Sequence, residues 1–235
     1  MNTARRLFLV QSLALATSPV FASMPHIVLL GDSIFDNGSY TNGKPDVISQ
    51  VRDVLPAGWK ATLGAVDGAT TRSIDAQLAR LPSDTTHLVL SVGGNDALGS
   101  QHVLQARTST TGEGLIQLAR VVAEFESRYR AVVSACLRRR LPLLLCTIYN
   151  GNFPERSFQQ QATTAIAVFN DAILRVALEH GLSVLELRQI CSAPEDYANP
   201  IEPSSVGGAK IARAIAVALT DPAAARRRSL VMGTP

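Results

Sequence analysis

Hydrophobic residues follow two patterns along the chain: short apolar runs, and longer stretches in which apolar residues recur every three or four positions. The clearest runs are residues 27–30, 87–92 and 143–148, and less apolar segments at 59–66 and 182–187 complete a set of five. An unbroken apolar run is typical of a strand buried on both faces of a parallel sheet. The pattern therefore predicts five strands.

Between these runs, apolar residues spaced for one face of a helix predict amphipathic helices. The predicted helices lie near residues 45–55, 74–81, 115–136, 162–176 and 204–219. Strand and helix thus alternate along the chain without a linker or an internal repeat. Such alternation predicts an α/β protein with a five-stranded parallel sheet, helices on both faces and right-handed connections. We expect one domain over roughly residues 24–220.

Small polar turns follow three of the predicted strands, at Ser33, Gly68 and Asn95. Because the carboxyl ends of parallel strands meet at one edge of a sheet, these residues are expected close together, where ligands of α/β proteins bind. Acyl transfer needs a hydroxyl nucleophile together with N–H donors for the oxyanion. The Ser33 hydroxyl, the Ser33 and Gly68 N–H groups and the Asn95 amide supply these functions. Taken singly, each residue also fits a structural role as a helix cap or turn glycine.

Three segments resemble the first three sequence blocks of the SGNH (GDSL-type) hydrolases. They are Gly31-Asp32-Ser33-Ile34, Gly68 and Gly93-Gly94-Asn95-Asp96. The resemblance covers essentially the whole predicted domain and implies a flavodoxin-like three-layer α/β/α sandwich. It further implies an esterase or acyl hydrolase with Ser33 as nucleophile and with Gly68 and Asn95 in the oxyanion hole.

The fourth block departs from the family pattern, which has an Asp-x-x-His-Pro segment before the last helix. Here Asn199 stands in the position of the aspartate and Glu202 in that of the histidine. Glu202 is a candidate base, although an ordinary glutamate pKa of about 4.3 is low for this work. Burial would raise that pKa, whereas the positive end of the following helix would lower it. The alternative is that Glu202 only caps the helix.

The four histidines offer one further candidate base. His26 and His87 begin strands and His180 ends a helix, so all three are expected at the opposite edge of the sheet. Only His102, in the loop after Asp96, is expected at the active edge. Two functions therefore stay open. The first is a serine hydrolase of small acyl or acetyl esters, with Glu202 or His102 as base, and the second is a catalytically impaired protein that binds ligands in the same pocket.

The charge balance argues against a nucleic-acid partner. Without Arg5 and Arg6, the chain holds 20 basic and 19 acidic residues, and no basic stripe is evident. The three cysteines are too widely spaced for a CxxC metal or redox motif, and their odd number argues against a disulfide framework. We expect no cofactor and no metal, and a small-molecule ester as the substrate.

Both ends of the chain differ in composition from the predicted domain. Residues 1–22 combine a basic pair, an apolar stretch and a small-residue cleavage site, which predicts an export signal and a periplasmic or secreted protein. The apolar stretch is too short and interrupted for a stable membrane span. If translation starts at Met24, the protein would instead be cytoplasmic. Residues 221–235, rich in Ala, Arg and Pro, predict a mobile tail.

Overall fold

The computed structural model describes residues 24–221 and residue 223. The predicted export signal, and nearly all of the predicted C-terminal tail, lie outside the described residues. The predicted domain over residues 24–220 lies within them.

Five strands form one sheet in which every neighbouring pair is parallel. In chain order they are β1 His26–Gly31, β2 Lys60–Leu63, β3 His87–Ser91, β4 Leu143–Cys146 and β5 Ser183–Leu185. Their spatial order is β2-β1-β3-β4-β5, which is the flavodoxin-like order. β1 and β3 lie in the interior of the sheet, and their apolar residues are fully or almost fully buried.

Within residues 24–221, seven α-helices surround the sheet. They are α1 Val47–Val54, α2 Ile74–Leu78, α3 Gly94–Gly99, α4 Thr111–Leu137, α5 Arg156–Glu179, α6 Leu187–Ile190 and α7 Ser205–Thr220. One hydrophobic cluster packs α2, α4 and α5 against the sheet, and a second packs α1, α6 and α7. The predicted three-layer α/β/α sandwich is therefore confirmed.

Several boundaries differ from the sequence-based prediction. β4 ends at Cys146 rather than at residue 148, and α5 begins at Arg156 rather than near residue 162. β2 ends at Leu63 rather than near residue 66, and a turn follows at Asp67 and Gly68. β5 ends at Leu185 because Glu186 caps a short helix, α6, through a hydrogen bond from the Arg188 N–H. The sequence pattern also missed α3, which begins directly after β3 within the glycine-rich Asn95 motif.

The edge of the sheet opposite the predicted site holds three of the histidines. His26 and His87 are the first residues of β1 and β3, and His180 caps the end of α5. His26 is buried, with one ring nitrogen 2.8 Å from Asp84 Oδ1 and the other 2.8 Å from Thr62 Oγ1. These contacts give His26 a structural role that connects two strands.

Two searches of the described residues were negative. No helix among them has the length and apolar content needed to cross a membrane. The same residues contain no group of three or more His, Cys, Asp or Glu side chains arranged to hold a metal ion.

Candidate active site

The turn after β1 places Ser33 at the carboxyl edge of the sheet. Gly31 has a φ of +136°, and a Cβ atom there would lie 1.7 Å from the Ser91 carbonyl oxygen, so only glycine fits. The Asp36 N–H donates to the Asp32 carbonyl oxygen at 3.1 Å and closes the turn. Ser33 is 6% exposed and lines a cavity at this edge.

The Glu202 carboxyl group lies against the Ser33 hydroxyl. Glu202 is only 5% exposed and lines the same cavity as Ser33. Burial raises the pKa of the Glu202 carboxyl, while the Ser33 side chain, as its hydrogen-bond partner, lowers that pKa and the negative charge of Asp67 raises it. The net shift is upward. Burial is the largest of these three causes.

The residue that caps α7 is Ser204, not Glu202. The Ser204 Oγ accepts hydrogen bonds from the N–H groups of Val206 at 3.1 Å and Gly207 at 3.2 Å. Glu202 Oε2 is buried and has no hydrogen-bond partner among the described residues. The Glu202 side chain thus lines the cavity beside Ser33 and does not cap the helix.

The loop that carries Glu202 is fixed by side chains from separate parts of the chain. Asn199 Oδ1 accepts the backbone N–H groups of Ile201 and Glu202, each at 2.9 Å. The Tyr149 hydroxyl donates to the Ile201 carbonyl oxygen at 2.6 Å. The described contacts of Asn199 are thus with the backbone, so this residue positions Glu202 through the loop.

Asn37 connects the same loop to α1, and sequence reasoning missed it. Its side chain is fully buried, donates to the Pro203 carbonyl oxygen at 3.0 Å and accepts the Val47 N–H at 2.9 Å. In a sequence, an Asn-Gly pair is typical only of a turn. A buried amide that both donates and accepts a hydrogen bond depends here on groups distant in sequence, which no local pattern reveals.

Asn95 lines the cavity beside Ser33, as predicted, and Gly68 lies in an adjoining loop. The Asn95 side-chain amide donates to the Ala69 carbonyl oxygen at 3.0 Å, which leaves its second hydrogen available. Gly68 has a φ of +75° and is exposed, and it does not itself line the cavity. The backbone N–H groups of Ser33 and Gly68 have no acceptor among the described residues.

Asp96 joins α3 to the Gly68 loop, a role that the sequence did not reveal. Its carboxylate accepts the Thr71 N–H at 2.9 Å and the Thr71 hydroxyl at 2.6 Å, and Arg128 lies 3.6 Å away. The sequence marks Asp96 as the last residue of the Asn95 motif, but no sequence pattern predicts the role of Thr71.

His102 lies away from the cavity. It belongs to the short 3-10 helix Gln101–Gln105 and is exposed. The flanking residues Gln101 and Val103 line the cavity, whereas His102 does not. The carboxyl group of Glu202 is therefore the base candidate that the structure brings to Ser33.

The cavity has a volume of about 100 Å³, opens to solvent and continues from Ser33 into an apolar region between α4 and α5. A second pocket, with polar walls that include Arg188 and Gln159, shares Asn150 and Gly151 with the first. Most of the residues that line the first cavity are apolar.

Asp32, next to Ser33 in the chain, is a buried acid whose environment disfavours ionisation. It is 2% exposed, and its pKa is raised from 3.8 to about 7, chiefly by burial and further by the negative charges of Glu202 and Asp96. The Ile34 N–H, which donates to Asp32 Oδ1 at 3.1 Å, opposes this shift. Two carboxyl groups thus share the region around Ser33.

The raised pKa of Asp32 predicts that this group's contribution to folding stability falls as the pH rises. The folded protein binds this proton more tightly than the unfolded chain does, so the contribution is fully present below about pH 4 and is lost by about pH 7. In Asp32→Asn, which keeps the Oδ1 acceptor, we expect the loss of unfolding free energy between pH 5 and pH 8 to be smaller than in wild type by about 2–3 kcal/mol. Urea unfolding of the wild type and of Asp32→Asn at pH 5 and pH 8 measures this difference in unfolding free energy.

Asp53→Asn, the same change at an exposed position of α1, is the matched control and should leave the pH dependence as in the wild type. Equal pH dependence in Asp32→Asn and the wild type would contradict the prediction.

A flavodoxin-like sheet with a serine, a buried carboxyl group and an amide at its carboxyl edge defines the protein as an SGNH-type α/β hydrolase fold. In agreement, the model of the GDSL-like Lipase/Acylhydrolase family matches residues 29–207. The chain therefore belongs to this family, whose members are carboxylic ester hydrolases. The comparison with curated proteins gave no match.

Solved structures share this fold at low sequence identity. The extracellular lipase of Streptomyces rimosus is 18% identical with a TM-score of 0.61, and the match covers 82% of this chain and 99% of the lipase. The carbohydrate acetylesterase Est24 of Sinorhizobium meliloti is 13% identical with a TM-score of 0.58, covering 86% and 99%. The phospholipase A1 of Streptomyces albidoflavus NA297 is 17% identical with a TM-score of 0.58, covering 80% and 95%. At these identities the likeness shows the fold alone.

Proposed function

We propose that the protein hydrolyses carboxylic esters with Ser33 as nucleophile and Glu202 as general base. The observation that carries this proposal is the position of the buried Glu202 carboxyl group beside Ser33, its side-chain hydrogen-bond partner, on the wall of one cavity. Glu202 Oε2 has no hydrogen-bond partner among the described residues. A raised pKa makes Glu202 a stronger base than an exposed glutamate, because proton transfer is most efficient when the pKa is close to the working pH.

The reaction proceeds in two steps at the same serine. Ser33 Oγ attacks the ester carbonyl carbon as its proton moves to Glu202, and the tetrahedral intermediate expels the alcohol, which takes that proton. A water molecule then attacks the acyl-serine ester and gives its proton to Glu202. Collapse of the second intermediate releases the acid and returns the proton to Ser33.

The oxyanion of each intermediate would be stabilised by the Ser33 N–H, the Gly68 N–H and the free hydrogen of the Asn95 amide. Two of these donors lack an acceptor among the described residues, and the Ala69 carbonyl holds the third in place. Donors fixed before the reaction stabilise developing charge without reorganisation. Asn199, which accepts two N–H groups of the Glu202 loop, is a positioning residue in this scheme.

The proposal is tested by covalent labelling together with turnover. We expect the purified protein to hydrolyse p-nitrophenyl butyrate and to react with one equivalent of a fluorophosphonate, with mass spectrometry locating the label on Ser33. Excess p-nitrophenyl butyrate should slow the labelling, because substrate and label compete for Ser33. Absence of both turnover and label, together with measurable ligand binding, would instead support the catalytically impaired binding protein.

A periplasmic or secreted location, predicted from residues 1–22, is part of the same proposal. Secreted hydrolases meet esters outside the cytoplasm. Cell fractionation of the full-length protein, with mass determination of its N-terminus, tests this location.

A further inference from the structure

The cavity beside Ser33 has a predominantly apolar lining. Asp32, Asn95 and Glu202 line it together with Ser33, and Ser100, Gln101 and Asn150 add further polar side chains. Much of the apolar wall comes from two helices, α4 and α5. The wall residues that matter here are Leu118 and Val121 of α4, and Ala162, Ala165, Ile166 and Phe169 of α5.

The apolar region follows the α5 helix for a considerable length. Phe158 and Phe169 both line it, and their separation of eleven residues corresponds to roughly 16 Å along a helix. Ala162 and Ala165 lie between them, and their small side chains leave open space where larger residues would fill the gap between α4 and α5. An acetyl group bound to Ser33 would leave most of this apolar wall without a partner.

The chemistry of the two-step reaction indicates which part of an ester uses this space. The acyl group stays attached to Ser33 after the alcohol has left, so it needs a site of its own, while the alcohol needs a path to solvent. The apolar region reaches side chains of the protein core, since Val92 and Phe169 are each only 2% exposed. A region that extends into the core suits the retained acyl group.

We propose that the preferred substrates are esters of unbranched apolar acyl chains longer than butyryl, and that the chain binds between α4 and α5 with Ala165 limiting its length. This proposal rests on the proposed ester hydrolysis at Ser33. It departs from the sequence-based expectation of small acyl or acetyl esters. The physical reason is that burial of each additional methylene group in an apolar site strengthens binding of the transition state.

The acyl-length profile of the enzyme tests the proposal. We expect kcat/KM for p-nitrophenyl esters to increase from acetate to butyrate to octanoate, by at most about fourfold per methylene group. Octanoate should therefore exceed butyrate by about 10- to 100-fold. Substrates are kept below the concentrations at which they aggregate. Dodecyl acetate, which carries the long chain on the alcohol, should be no better than ethyl acetate.

Ala165→Leu and Ala167→Leu form a matched pair on α5. Ala165 lines the cavity, whereas Ala167 is exposed. In Ala165→Leu we expect kcat/KM for the octanoate ester to fall at least about tenfold and that for the butyrate ester to change by less than about twofold. The proposed reason is that the added side chain fills only the part of the site that binds acyl carbons beyond butyryl. Ala167→Leu should match the wild type with both substrates.

Each outcome has a separate meaning. Three results would overturn the acyl-site proposal while leaving ester hydrolysis intact: a wild-type preference for acetate over octanoate, a preference for dodecyl acetate over ethyl acetate, or an equal loss with octanoate and butyrate in Ala165→Leu. The wild-type acyl-length profile tests the proposal even if Ala165→Leu does not fold. Failure to hydrolyse any of the esters would instead overturn the proposed function.

Discussion

Ser33→Ala is expected to lower kcat/KM for p-nitrophenyl butyrate by at least about 10³-fold, since loss of the nucleophile leaves only binding and oxyanion stabilisation. Labelling by the fluorophosphonate should disappear at the same time. The substitution removes one hydroxyl from a residue that is 6% exposed, so the fold should be retained. Initial-rate kinetics, with circular dichroism to compare thermal unfolding, measures both effects.

Ser134→Ala supplies the control, because Ser134 is exposed on α4, distant in sequence from every block of the site. Its activity and labelling should equal those of the wild type. If Ser33→Ala retained more than about a tenth of the wild-type rate, the hydroxyl at position 33 would not be the nucleophile.

Glu202→Gln is expected to lower kcat/KM by about 10²- to 10⁴-fold, which is the usual contribution of a general base. The glutamine keeps the size of the side chain but cannot accept the Ser33 proton. In the wild type, kcat/KM should rise with pH as Glu202 ionises, with a midpoint above the ordinary value of 4.5, because burial raises the pKa of this carboxyl group. This acid limb should be absent from the residual activity of Glu202→Gln.

Two variants distinguish a base from other roles. Glu195→Gln makes the same chemical change at an exposed position a few residues earlier, and it should retain the wild-type rate and pH profile. His102→Ala should also retain both, because His102 does not line the cavity. An unchanged acid limb in Glu202→Gln, or a large loss in His102→Ala, would assign the proton transfer to another group.

The fold was predictable because its strands are buried on both faces. The apolar runs at residues 27–30 and 87–92 are typical of interior strands of a parallel sheet. The alternation of strands and helices along the chain then restricts the possible topologies. The short helices α3 and α6 were missed because four to six residues carry too little periodicity. The limits of β2 and β5 depended on turn and capping contacts that are not evident from apolar patterning.

The candidate site was predictable in its location and not in its energetics. Ser33 and Asn95 follow strands whose carboxyl ends must share an edge, so their proximity follows from topology alone. The direction of the pKa shift of Glu202 was open because the sequence does not show how deeply this side chain is buried, and burial is the largest cause of the upward shift. The apolar region between α4 and α5 was also hidden, because Ala162 and Phe169 have the same spacing whether their face is packed or partly empty.

The carboxyl group at position 202 also changes the charge balance of the reaction. An imidazole that accepts the serine proton becomes a cation beside the oxyanion, so a neutral pair turns into two opposite charges. Glu202 starts as an anion and becomes neutral, so the negative charge only moves from the carboxylate to the substrate oxygen. The buried pocket therefore carries the same total charge throughout the proposed reaction, and no cation is formed beside the oxyanion to stabilise it. The full stabilisation of the intermediate would fall on the N–H groups around Ser33 and Asn95.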